Sequence, residues 1–226
     1  MNSITQAYKT KFKERLSPEG FSLYRNTFYK VVNDVLQTLM LTNHGSEYTV
    51  CFFITPLYLG VRDLYIEGFG IHEFREKNIF DSEKRWRNFN IFTGLKLSDE
   101  EIDSAVSEML SIVVSHVLPT FERGVDWKSG YDEMRIVEKQ IFGKRPYSPH
   151  HGSYYKHIKA GEYEEAIADA QHFISSNVGW KEVFTPQLEH LLAGNTAYFD
   201  NLFAEKEAQA REYLTNPRKH KPKQGY

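Results

Sequence analysis

The sequence predicts an α+β fold: an antiparallel sheet of about four to six strands flanked by helices, followed by an all-helical C-terminal region. Three observations point there. Residues 4–16 repeat apolar side chains at helical spacing. Residues 21–59 break into short aromatic and β-branched runs separated by Asn-Asp and Asn-His-Gly-Ser. Past Gly124, segments of helical period follow one another with no strand pattern.

The first helix is carried by Ile4, Tyr8, Phe12 and Leu16, which recur every four residues, while Lys9, Lys11, Lys13 and Arg15 fall mostly off that stripe. Ser17, Pro18 and Gly20 stop it. Its basic flank is read as a solvated surface and its apolar face as a cover for the sheet.

From Phe21 the period changes. Residues 21–24, 28–32, 35–42 and 48–55 are rich in aromatic and β-branched side chains. Asn33-Asp34 and the break at 43–46 tolerate turn geometry, so consecutive strands are expected to pair as hairpins. In the last strand Tyr48, Val50, Phe52 and Ile54 share one face. Thr49, Cys51, Phe53 and Thr55 share the other, a mixed face expected to be only partly covered. Pro56 weakens the ladder there, with residues 57–59 continuing it as an edge.

These residues also resemble a known family. Gly20-Phe21, Thr27-Phe28-Tyr29, the series Asn33, Val35, Gln37, Leu39, and Tyr48-Thr49-Val50 before an apolar run look like domain of unknown function 4304, as do the Trp86 region and Leu118-Pro119. The resemblance covers residues 5–125. One departure is Cys51 or its neighbour Phe52, where that pattern has an Asn. It implies a fold and carries no activity.

Residues 62–71 alternate loosely and suggest a further strand bent near Gly68 and Gly70, and 72–90 have no regular period. Ser98-Asp99-Glu100-Glu101 is a capping box that opens a helix, with Ile102, Ala105, Val106, Met109, Leu110, Val113 and Val117 on one side and an end expected near Leu118-Pro119. Helices are then expected at 127–141, and at 154–160 and 162–175 as a hairpin around Gly161, with 143–152 as a linker. Residues 161–170 are similar to the second helix of a tetratricopeptide unit, but an array needs about three repeats to bury its faces, so the likeness is one of local packing. Thr185-Pro186 reads as a helix start, and the helix it opens is expected to run to Leu214 with Gly194 weakening its middle. The resulting domains are 1–125, an α+β sheet domain; 126–215, a helical extension; and 216–226, a disordered basic tail.

Composition excludes some functions. With 41% hydrophobic residues and 16 Phe among 226, the chain holds enough apolar material for a core. A formal charge of −2 gives no general attraction to nucleic acid, which is disfavoured as a partner. One cysteine, Cys51, forms no internal disulfide, and the N-terminus lacks a signal-peptide pattern, so the expected compartment is cytoplasmic. No uninterrupted apolar run of about 18 residues is present, so no membrane role is expected.

No catalytic residues, metal ligands or cofactors are assigned. Cys51 is read as a small buried hydrophobe, although His44 or His72 folding against it would make a nucleophile. His72-Glu73 lacks the second histidine of a zinc-protease helix. His150, His151 and His157 match no metal spacing. Gly60, Gly68 and Gly70 do not form a phosphate loop. The most suggestive cluster is Lys84-Arg85-Trp86-Arg87-Asn88-Phe89, in which Arg85, Trp86, Arg87 and Phe89 are the candidate binding residues. The bland alternative is that Trp86 and Phe89 plug the end of the sheet. The expected function is a non-catalytic cytoplasmic module that binds a protein or peptide partner through the open sheet face and this segment. The rival is an enzyme acting on a small polar substrate in a cleft between sheet and helical extension.

Overall fold

A computed structural model describes residues 3–43, 47–60, 70–71, 91–92, 97–142, 151–176 and 178–217. The chain forms the α+β arrangement that its periodicities predict. Helix α1 (Ser3–Leu16) buries Ile4, Tyr8, Phe12 and Leu16. Phe12 stacks on Phe28, and the Tyr8 hydroxyl donates to Leu39 O at 3.3 Å, which fixes the helix against the sheet.

Four antiparallel strands follow in sequence order: β1 (Ser22–Tyr24), β2 (Thr27–Val32), β3 (Val35–Asn43) and β4 (Glu47–Pro56). Two short strands lie along the far edge of β4: β5 (Gly70–Ile71) pairs with Phe53 and Phe52, and β6 (Ile91–Phe92) with Tyr48 and Glu47. Both tight hairpins have a two-residue loop whose first member takes positive φ, Arg25 at 55° and Asn33 at 49°. Primed turns require this, since only they follow the right-handed twist of the strands. Asn33-Asp34 announces its turn, whereas Arg25-Asn26 does not. Residues 57–59 leave the sheet as one turn of 3-10 helix closed by Gly60 N–H on Leu57 O, correcting the expected edge. Pro56 has no N–H to extend the ladder.

Helix α2 runs from Asp99 to Arg123. Its capping box is formed in both directions, Glu101 N–H on Ser98 Oγ at 3.2 Å and Ser98 N–H on Glu101 Oε2 at 2.7 Å. The helix does not end at Pro119. Val113–Val117 form a wide π turn in which Leu118 N–H reaches back to Val113 O, and this lets the chain absorb a proline that has no N–H of its own. By length and composition α2 is apolar enough to cross a membrane. Here Ile102, Val106, Met109, Ile112 and Val113 belong to the core cluster with α1 and the sheet.

Helix α3 (Trp127–Phe142) starts on a fully engaged cap. Asp126 Oδ1 accepts from Lys128 N–H and Ser129 N–H at 3.0 and 2.8 Å, while Ser129 Oγ accepts from Val125 and Asp126 N–H. The β2–β3 hairpin and β3 hold this α2–α3 junction from the other side. Asn33 Nδ2 donates to Val125 O at 3.0 Å and Asp34 Oδ1 accepts from Trp127 N–H at 3.0 Å. Buried Gln37 donates to Phe121 O at 2.7 Å and Gly124 O at 3.1 Å. Arg123 and Glu133 complete the joint with two parallel bonds of 2.9 and 2.8 Å.

The cap makes a pH prediction. Hydrogen bonds from Ser129 hold the Asp126 carboxyl below its ordinary range. A carboxylate depressed in the folded state stabilises above its unfolded pKa of about 3.9, and that stabilisation is lost as pH falls through the folded value. Urea titrations across this acid range should therefore show a shallower pH slope in Asp126→Asn than in wild type.

Contacts divide the described residues into two compact units. The first comprises α1, the sheet, α2 and α3. The second comprises residues 57–60 and helices α4 (His151–Ala160), α5 (Tyr163–Ser176), α6 (Val178–Leu192) and α7 (Thr196–Thr215). The expected hairpin around Gly161 is present. The expected helix from Thr185 is instead two helices. Pro186 sits inside α6, on its exposed side. Gly194, at φ 66°, ends α6, its N–H bonding Leu191 O and that of Asn195 bonding His190 O. This is a Schellman closure, after which Asn195 caps α7 through Tyr198 N–H. In the second unit's core Tyr154 packs edge-on to Phe184, Phe173 meets Phe184 at 4.7 Å, and Tyr58 meets Phe203 at 5.0 Å.

Candidate functional site

Arg85, Trp86, Arg87 and Phe89 lie outside the described residues, as do His44, His72 and His150. Cys51 is buried on β4, its Sγ 3.4 Å from Thr42 Oγ1.

The mixed face of β4 is not open. Thr49, Cys51, Phe53 and Thr55 are each at most 2% exposed, and Leu36 and Thr38 beside them on β3 are equally buried. Exposure on this face appears on β1 and β2, where Tyr24, Tyr29 and Val31 are half-buried and Ser22 is exposed, and toward the far end of β3, where Met40 and Thr42 are half-buried. The expectation of an open sheet face is thus corrected along β4 and at Leu36 and Thr38 of β3.

A cluster of serine, histidine and carboxylate side chains lies in the α4–α5 hairpin. Ser153 and His157 are four residues apart and so share a face of α4. Opposite them Asp169 interrupts the apolar stripe Ala166, Ala170, Phe173 of α5. Ser153 Oγ donates to Asp169 Oδ2 at 3.2 Å, and His157 Nδ1 lies 3.2 Å from the same oxygen without the alignment of a hydrogen bond. His157 Nε2 faces Glu162 Oε2 at 3.8 Å, and Lys156 Nζ reaches that oxygen at 3.2 Å. The cluster runs from the interior, with Ser153 fully buried, to the surface at Glu162. Burial, then the proximity of Tyr155, Tyr198 and Asp169, pushes the Tyr154 phenol well above its ordinary value, so it stays neutral.

No family model, curated protein or solved structure matches this chain. The reading of the cluster rests on its geometry. Acyl transfer places a hydroxyl on the imidazole nitrogen turned away from the carboxylate. Here Ser153 and the imidazole share one carboxylate, and the outer nitrogen faces Glu162. The arrangement joins two helices and orients no nucleophile. Among the described residues no group of three His, Cys, Asp or Glu side chains is placed to hold a metal ion. His157 was singled out with His150 and His151 from the sequence; its partner Asp169 was not. The available signal was a carboxylate inside a buried helical stripe, which is stable only with partners.

Proposed function

We propose that this protein is a non-catalytic cytoplasmic module that binds a protein or peptide partner, and that residues 5–125 belong with domain of unknown function 4304. The observation that supports it best is a contrast in the second unit. Its reactive-type side chains Ser153, His157 and Asp169 are engaged with one another inside, while Tyr163, Val183 and Leu192 are 40%, 52% and 65% exposed. Antiparallel helices joined by short turns commonly present such side chains to partners. A single buried cysteine suits a reducing compartment, and the small net charge argues against nucleic acid. Arg85, Trp86, Arg87 and Phe89 remain the sequence's own candidates for the same role.

The test is capture from native lysate on immobilised wild-type protein, followed by Kd measurements with the purified partner. Leu192→Ser, Val183→Ser and Trp86→Ala are compared. The expected result is a partner whose affinity falls by at least about tenfold in one variant with unfolding unchanged, the effect of losing one well-packed apolar contact. Recovery of no partner, or equal binding by all variants, argues against the proposal.

A further inference from the structure

Thr38 and Thr55 lie on the buried second face of the sheet. The register sets Thr38 opposite Phe53 and Leu36 opposite Thr55, so the two threonines form one diagonal of a four-residue patch and Leu36 and Phe53 the other. Diagonal neighbours of this kind have Cβ atoms about 7–8 Å apart or less. Thr38 is 1% exposed and Thr55 fully buried, and neither hydroxyl has a hydrogen-bond partner in the protein. Two such groups side by side are uncommon, because a buried polar atom without a partner is costly and native interiors avoid it. Beyond Phe53 the next strand contributes Gly70, which adds no side chain to this face. No charged residue belongs to this face in β3 or β4 up to Thr49.

We infer that Thr38 and Thr55 together hold one small, neutral, oxygen-bearing guest on this face. Each hydroxyl both donates and accepts, so a single oxygen between them satisfies both. The apolar members of the patch, Leu36 and Phe53, exclude an ion. Two sources share this chemistry, an ordered water and a small organic alcohol or carbonyl compound.

Thr38→Val, Thr55→Val and the double variant, made in the full chain and compared by thermal unfolding, test it. With a shared guest each valine lowers Tm, and the double variant loses less than the sum, because either valine already releases the guest. Thr38→Ser, which keeps the hydroxyl, retains the coupling. If both valines raise Tm and their effects add, the hydroxyls are orphans relieved by removal and the inference is overturned. Native mass spectrometry separates the sources. An added mass lost in Thr38→Val identifies an organic guest, and coupling with no added mass assigns a water.

Discussion

Gln37→Leu is expected to destabilise the first unit by about 2–6 kcal/mol, since it leaves two buried carbonyls without their donor at about 1–3 kcal/mol each. The carbonyls are Phe121 O and Gly124 O, at the end of α2, where the helix itself provides no N–H. Gln37 is 3% exposed, so water does not replace its amide. The substitution keeps approximate size and adds apolar character, which makes any loss attributable to the donor. Gln37→Glu, with the same shape and no N–H to give, should be at least as damaging at neutral pH. Urea unfolding with an unchanged m-value is the measurement. A loss below about 1 kcal/mol would mean that the junction finds other donors.

The parts of this fold that were legible are those set by neighbours in sequence. The α1 stripe, the four strand periods, the Asn33-Asp34 turn and the Ser98 capping box each depend on residues within one turn or one hairpin. What escaped depends on distance or on exceptions to local rules. Arg25 occupies a left-handed turn position usually given to Asn or Gly. Pro119 and Pro186 sit inside helices because a π turn and an exposed helix side accommodate them, which a proline in a sequence does not disclose. The grip of Asn33, Asp34 and Gln37 on the α2–α3 junction spans 84 to 93 residues, so it appears in the sequence only as polar residues without an evident task. Asn33, Val35 and Gln37 thereby have physical reasons: two hold the junction, and Val35 is fully buried in the core. The close approach of α3 explains Gly130, where an added Cβ would lie 2.6 Å from Ile54 Cγ2.

Asp169→Ala is expected to cost the second unit about 2 kcal/mol, in the range for leaving a buried hydrogen-bonding group without its partner. Asp169 is 3% exposed and is approached by both Ser153 and His157, so its loss removes the polar link between α4 and α5 and opens a small gap beside Phe173. Asp169→Asn retains the shape and one acceptor oxygen and should cost less, near 1 kcal/mol, the scale of a neutral hydrogen bond. A double-mutant cycle of Asp169→Ala with His157→Ala isolates the carboxylate–imidazole share, and coupling of about 0.5–3 kcal/mol is the expectation for residues in contact. Hydrogen exchange locates the effect. Because the chain divides into two compact units, amide protection in α4 and α5 should fall while β3 and β4 keep theirs. Equal loss of protection in both units would show that the clamp supports the whole chain, and unchanged protection in α4 and α5 would remove its role as the joint of the hairpin.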